Sequence, residues 1–175
     1  MSKETLLPID RFLFTLNIVA KEGNHLAFSW QRLYSHDITP AWVRELEAHP
    51  EQAEQLEAFV SRFGRMQDTI ADKLLPRWLM ALAETPGSLI ETLNRAERLG
   101  VIENVEAWLE ARQLRNRLVH EYMQDEQSFC KDLMLAREYS MMLIETYNRV
   151  LEYAVSRMHL PKLPEPLVLP GVSGR

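Results

Sequence analysis

The chain has 175 residues, of which 46% are hydrophobic and 26% charged, so it can fold as one domain around a sizeable core. Its net charge of -5 excludes a surface built to coat nucleic acid, but not a small cationic site, because salt screens fields beyond about 10 Å. The single cysteine, Cys130, excludes an internal disulfide and a cysteine-based metal site. With no signal-peptide pattern and no apolar run of the roughly 20 residues that span a bilayer, the sequence predicts a cytoplasmic protein.

Apolar residues recur at helical spacing almost throughout the chain, and no alternating β pattern interrupts them. The first stripe predicts a helix from Ile9 to about Tyr34. After it, Thr39 is expected to cap a short helix whose first residue is Pro40, because proline suits that position. This short helix should end near His49-Pro50.

A long helix is predicted from about Glu51 to Glu84. Pro76 should kink or break it, because proline lacks the N–H that the preceding turn needs. Thr85-Pro86 is expected to cap the next helix, and Gly100 to end that helix in the left-handed conformation that glycine adopts easily. Two further helices are predicted, from about Asn104 to Tyr122 and from about Glu126 to Met158.

The predicted fold is therefore all-α, an up-and-down bundle of five or six helices joined by short loops and covering residues 1–159. No repeat or linker divides it. Residues 160–175 form a proline-rich C-terminal tail, since Leu160–Pro166 cannot continue a helix. Three possibilities are open for this tail: packing on the bundle, docking on a partner, or disorder, of which disorder is the most expected.

The chemically distinctive segment is Ala111–Tyr122, where three arginines, an asparagine and a histidine fall within nine residues of an acidic chain. On a helix, Arg112, Asn116 and His120 follow one another at four-residue spacing and share one face. Arg115 lies about 140° around the helix from His120, yet its long side chain can reach the same pocket. The segment therefore predicts a local cationic site.

This set of residues suits cleavage of an RNA phosphodiester without a metal. Histidine ordinarily titrates at a pKa of about 6.5, so His120 can accept a proton from a 2′-hydroxyl or donate one to the leaving 5′-oxygen. Arg115 can hold the phosphoryl oxygens through a two-pronged hydrogen bond, and Asn116 can orient the histidine or the phosphate. One histidine does not readily supply both acid and base, so two copies are expected to pair across a twofold axis.

The string Arg-Asn-Arg-Leu-Val-His-Glu-Tyr resembles the signature of HEPN domains, in which an arginine and a polar residue precede a histidine. Its tighter form, Arg-x4-His-x-Tyr, resembles HepT toxins, which are encoded beside a minimal nucleotidyltransferase antitoxin, and Arg115, His120 and Tyr122 match it residue by residue. The resemblance implies a homodimeric ribonuclease whose activity is carried by Arg115 and His120. Asn116, which can orient the histidine or the phosphate, is the third residue predicted to be catalytic. The resemblance also implies that the antitoxin silences the toxin by AMP transfer to Tyr122.

Two other segments, Phe63–Pro76 and Asn94–Gly100, resemble the nucleotidyltransferase substrate-binding-protein branch of the same superfamily. That branch implies an alternative function, a non-catalytic substrate-binding subunit of a nucleotidyltransferase. A third alternative is a purely structural dimer. Glycine-rich phosphate loops are absent from the sequence, so the nucleotide is expected to bind the partner, and no cofactor is expected for this chain.

The same residues also have simpler explanations. The helix dipole favours arginine and histidine near a helix C-terminus by roughly 0.3 to 1 kcal/mol each. Tyr122 follows Leu118 by four residues, as a core tyrosine with its hydroxyl at the rim would. Arg112 and Arg117 are expected to be solvated or ion-paired, with at most an assisting role in phosphate binding.

Asp68 and Asp72 stand one helical turn apart, as two carboxylates that bind a metal would. A solvated helix face is the stronger expectation for them, because no histidine or cysteine at metal-ligand spacing accompanies them. No metal site is therefore predicted.

Overall fold

The computed structural model describes residues 6–120 and 125–170, except the side chain of His120. Over these ranges it contains helices and connecting segments but no β-strand, which confirms the predicted all-α class. Among the described helices, none is both long enough and apolar enough to cross a membrane. The α-helices are α1 (Pro8–Leu33), α2 (Pro40–Glu45), α3 (Pro50–Thr69), α4 (Leu75–Ala81), α5 (Leu89–Arg98), α6 (Val105–His120) and α7 (Glu126–Ser156).

The core lies between α1, α3, α4 and α7, whose apolar stripes face one another. Large side chains from each of these helices are fully buried: Phe12, Phe59, Trp78 and Tyr147. Burying such a side chain stabilises the fold by roughly 1.5 to 3 kcal/mol. The helix α6 packs against both α3 and α7, so the distinctive segment predicted from the sequence lies on a well-anchored element.

The predicted helix from Glu51 to Glu84 is observed as α3 and α4, joined without a break by a π-helical turn, Ile70–Leu74. In this turn the N–H of Leu75 donates to the carbonyl of Ile70, five residues back. Only Leu75 separates the turn from Pro76, whose missing N–H the turn accommodates, so the helix continues instead of breaking there. The helix ends at Ala81, shortly before the predicted end.

Two of the predicted helix boundaries are confirmed by their hydrogen bonds and backbone angles. Thr39 caps α2, since its hydroxyl oxygen accepts a hydrogen bond from the Trp42 N–H at 3.1 Å, and Pro40 is the first helical residue. Gly100 has a φ angle of +83°, the left-handed conformation expected after α5.

The prediction that Thr85-Pro86 caps the next helix is wrong. The cap is Ser88, whose hydroxyl oxygen accepts a hydrogen bond from the Glu91 N–H at 3.3 Å. The physical reason is local, because Ser88 directly precedes the helical stripe and Glu91 follows three residues later, the spacing of a capping box. The sequence therefore contained the signal for the correct cap.

The described part of the C-terminal tail, residues 160–170, packs on the bundle. The side chain of Asn148 bonds twice to the backbone of Leu167: its Oδ1 accepts from the N–H at 2.8 Å, and its Nδ2 donates to the carbonyl at 2.9 Å. The Tyr147 hydroxyl donates to the carbonyl of Glu165 at 2.9 Å. These bonds attach the extended segment to α7.

A slot in the bundle receives the leucines of this segment. Leu167 and Leu169 are both only 5% exposed. Gly23 of α1 makes the slot possible, because a Cβ atom there would lie 2.1 Å from the Leu167 Cδ1. Of the three possibilities open for the tail, packing on the bundle is the one observed, and the expectation of disorder is wrong for residues 160–170.

Candidate functional site

The helix α6 is defined by a cap at its start and by one buried stripe. The Asn104 Oδ1 accepts hydrogen bonds from the N–H groups of Glu106, at 2.8 Å, and Ala107, at 3.3 Å. The core side of the helix then consists of side chains that are at most 2% exposed: Trp108, Ala111, Leu114 and Leu118. The polar residues between them therefore lie on the flanks and the outer face of α6.

A groove of about 650 Å³ runs between α6 and the continuous helix formed by α3 and the π-turn. One end of the groove is mostly apolar, with Glu57 and Ser61 as its polar members among Leu56, Val60, Leu118, Val119 and Phe129. The other end is polar and is lined by Arg65, Asp68, Thr69, Asp72, Lys73 and Arg115. The motif arginine predicted to bind phosphate thus faces a space that a ligand can enter.

Arg115 is fixed in this groove by a carboxylate and by a glycine of α3. Its Nη1 donates to the Asp68 Oδ1 at 3.1 Å, and its Nη2 lies 3.0 Å from the Asp68 Oδ2. The two side chains are 32% and 34% exposed. Gly64 lets the guanidinium group lie against α3, because a Cβ atom there would be 2.9 Å from the Arg115 Nε. The guanidinium is therefore held in one place while its charge is offset and part of its surface stays open.

A second, looser ion pair lies one helical turn along the same two helices. The Arg112 Nη1 is 3.6 Å from the Asp72 Oδ1. Asp68 and Asp72 are thus the counter-ions of the motif arginines. Asp72, 52% exposed, still lies on a solvated face as expected, whereas Asp68 is half-buried against Arg115. Within the described ranges, no group of three or more histidine, cysteine, aspartate or glutamate side chains is placed to hold a metal ion.

Arg117 lies on the opposite flank of α6 and bonds to α7. Its Nε and Nη2 donate to the two carboxylate oxygens of Asp132 at 3.2 and 3.1 Å. The Asp132 side chain is only 13% exposed, so this pair attaches α6 to α7 in a half-buried setting. Arg117 is therefore ion-paired as expected, and it does not share a site with Arg115.

A partly buried tyrosine, Tyr139 of α7, reinforces the same contact between α6 and α7. Desolvation and, to a smaller extent, a hydrogen bond to Glu110 of α6 together raise the pKa of Tyr139 to about 12. The phenol therefore stays protonated across the neutral range and can bond to the carboxylate. Together with the Arg117–Asp132 pair, this contact fixes the orientation of α6, and with it the position of Arg115 in the groove.

The remaining motif residues lie around the end of α6. Asn116 is exposed and forms no hydrogen bond with another part of the chain that the structure describes. His120 is the last residue of α6, and its side chain lies outside the described residues, as does Tyr122. The structure thus places Arg115 in the groove and Arg112 one helical turn away, paired with the groove residue Asp72. The roles predicted for Asn116, His120 and Tyr122 stay predictions.

Sequence reasoning missed the partners of the motif arginines. The sequence shows Asp68 and Asp72 as a pair of carboxylates, but it does not indicate that they or Gly64 contact Arg115 or Arg112. A signal did exist: acids four residues apart on one helix match arginines three residues apart on another, as they would along two antiparallel helices. Choosing this match required knowing that α3 and α6 are neighbours.

Comparisons of the chain with protein-family models, with curated proteins and with solved structures return no match.

Proposed function

We propose that this chain is a HEPN-type toxin of a toxin–antitoxin pair, a ribonuclease that cleaves RNA without a metal ion. The observation that carries the proposal concerns Arg115, on the helix that ends at His120. Asp68 holds its guanidinium group by two contacts in a groove, and the group stays partly exposed. Phosphodiester cleavage by general acid–base catalysis requires a histidine and a fixed cation at one phosphate, and in the sequence His120 follows Arg115 by five residues on the same helix. The resemblance of the motif to HepT toxins supports the same function.

In the proposed reaction, the 2′-hydroxyl oxygen attacks the neighbouring phosphorus while one His120 accepts the hydroxyl proton. The bond from phosphorus to the 5′-oxygen breaks, and the leaving oxygen takes a proton from the His120 of a second copy. Arg115 offsets the charge that develops on the non-bridging oxygens. The products are a 2′,3′-cyclic phosphate and a 5′-hydroxyl.

The proposed antitoxin is a minimal nucleotidyltransferase, which silences the toxin by AMP transfer to Tyr122.

The pairing of Arg115 with Asp68 is compatible with this role. A guanidinium group has five N–H donors, and the fork to Asp68 uses the Nη1 and Nη2 ends. The other donors remain for phosphate oxygens at the exposed part of the group. The Asp68 carboxylate offsets part of the positive charge available for phosphate binding. The pair therefore fixes the orientation of the guanidinium group more than it strengthens the attraction for phosphate.

The test compares an RNA oligonucleotide with the same sequence carrying 2′-O-methyl groups. The unmodified RNA should be cleaved to products with 2′,3′-cyclic phosphate and 5′-hydroxyl ends, and the methylated strand should stay intact because its 2′-oxygen lacks the proton that His120 removes. Cleavage of both strands, or products with 5′-phosphate ends, would reject attack by the 2′-hydroxyl.

The ion pairs of the motif favour a second candidate, a non-catalytic substrate-binding subunit of a nucleotidyltransferase. Each motif arginine faces a carboxylate: Arg112 faces Asp72, Arg115 faces Asp68 and Arg117 faces Asp132. Structural ion pairs of this kind need no substrate. Under this candidate the chain alone leaves RNA intact, its expression is harmless, and it co-purifies with a nucleotidyltransferase.

A further inference from the structure

The polar end of the groove also holds two cations that lie outside the motif. Arg65 of α3 and Lys73 of the π-turn both line the groove, on either side of Thr69. Within the residues that the structure describes, neither cation lies in an ion pair, whereas Arg112 and Arg115 both do. The least compensated positive charge in the groove therefore belongs to Arg65 and Lys73.

The acids around these cations are already engaged or partly desolvated. Asp68 and Asp72, on the same helix, pair with motif arginines. Glu22 of α1 is the acid that faces both cations, and its Oε1 accepts a hydrogen bond from the Thr69 hydroxyl at 2.9 Å. Burial raises the pKa of Glu22, and the nearby cations only partly oppose that shift.

The spacing of the two cations suits a chain of phosphates. Eight residues separate Arg65 from Lys73, which is about 12 Å along a helix at 1.5 Å per residue. Arg115 lies between them, since it bonds to Asp68 on the same stretch. The π-turn sets the position of Lys73 in the groove, and such turns occur frequently at functional sites.

We infer that Arg65 and Lys73 bind the backbone phosphates of a single-stranded RNA on either side of the phosphate held by Arg115. This inference rests on the proposed function and names the residues that hold the substrate outside the catalytic motif. Cations bind a strand mainly through its phosphates, so each contact should add to the salt dependence of binding without adding sequence preference.

The test measures binding separately from cleavage. The probe is a fluorescent 2′-O-methyl oligoribonucleotide, whose anisotropy is followed from low to moderate salt. Arg65→Gln and Lys73→Gln should each bind more weakly and should each lower the slope of log K against log salt by about 0.7, the value for one phosphate contact on a single strand. Arg98→Gln is the matched control, since Arg98 is exposed on α5 and does not line the groove.

Circular dichroism melting of each variant checks that the fold persists. Slopes of Arg65→Gln and Lys73→Gln equal to that of wild type, or a wild type that does not bind the probe, would overturn the inference. Loss of slope in these two variants but not in Arg98→Gln would support it. A wild type that binds the probe but cleaves no RNA would reject the proposed function alone, and cleavage with unchanged slopes would reject the inference alone.

Discussion

Gly64→Ala should displace the Arg115 side chain while changing the stability of the bundle little. The new Cβ atom would lie 2.9 Å from the Arg115 Nε and 3.2 Å from its Cγ. Ordinary contact begins at 3.4 Å, so the guanidinium has to move by about 0.5 Å or more. Since the fork to Asp68 depends on that position, the variant should weaken or break it.

The effect of this substitution on stability should be small because two terms offset each other. Alanine is favoured over glycine inside a helix by about 1 kcal/mol. The ion pair of two partly exposed groups contributes about 1 kcal/mol at most. The free energy of unfolding should therefore stay within about 1 kcal/mol of the wild-type value, measured by urea titration.

The effect on activity should be large by comparison. Displacing a substrate-positioning group by about 1 Å costs on the order of 100-fold, so kcat/KM for RNA should fall by about 10- to 100-fold in Gly64→Ala. In an Arg115→Gln background the same substitution should cause no further loss, because the group that it displaces is already gone. Wild-type activity in Gly64→Ala would refute the argument that the packing of Arg115 against Gly64 sets the site.

Three further predictions test other parts of the structure. Leu167→Ala should lower the free energy of unfolding by about 2 to 4 kcal/mol, because it leaves a cavity where the Leu167 side chain packs. Val168→Ala should change that free energy little, because the Val168 side chain is 72% exposed. Equal effects of the two substitutions in chemical denaturation would contradict the docked tail. Because burial raises the pKa of Glu22, the folded chain holds that proton to higher pH than the unfolded chain, so stability should fall as pH rises from the ordinary carboxyl pKa through the raised one. Glu22→Gln should flatten this fall in unfolding titrations at several pH values, and an unchanged pH profile would count against it. Ser88→Ala should cost about 1 kcal/mol of stability and Thr85→Ala little, and the reverse order would restore the original cap prediction.

Much of the fold followed from helical periodicity and end signals. The first and last helices, α1 and α7, begin and end within a few residues of the predicted bounds, because both carry long apolar stripes. Thr39 was identified as a cap because a proline follows it directly. Ser88 was overlooked because Thr85-Pro86 gave a similar signal three residues earlier.

The features that escaped prediction depend on contacts between distant segments. The π-turn before Pro76 keeps α3 and α4 continuous, and both the turn and α4 pack against α1. The docking of Leu167 depends on Asn148 of α7 and on the missing side chain at Gly23. Nothing within the proline-rich segment itself reveals such partners.

The candidate site shows the same division between local and tertiary information. The motif Arg115–Tyr122 was identified from spacing and resemblance, and its arginine does face a groove. That Asp68 would hold Arg115 depends on the register between α3 and α6, which periodicity does not give. Arg65 and Lys73 stand out only because the neighbouring motif arginines are ion-paired.

The most direct test of the central claim is incubation of the purified protein with end-labelled RNA in EDTA, wild type beside His120→Ala. The account predicts that the wild type cleaves the RNA and that the variant, with the same melting temperature, leaves it intact. A folded wild type that cuts no RNA, or a His120→Ala variant that cuts as well as the wild type, would contradict the claim that His120 and Arg115 form a ribonuclease site.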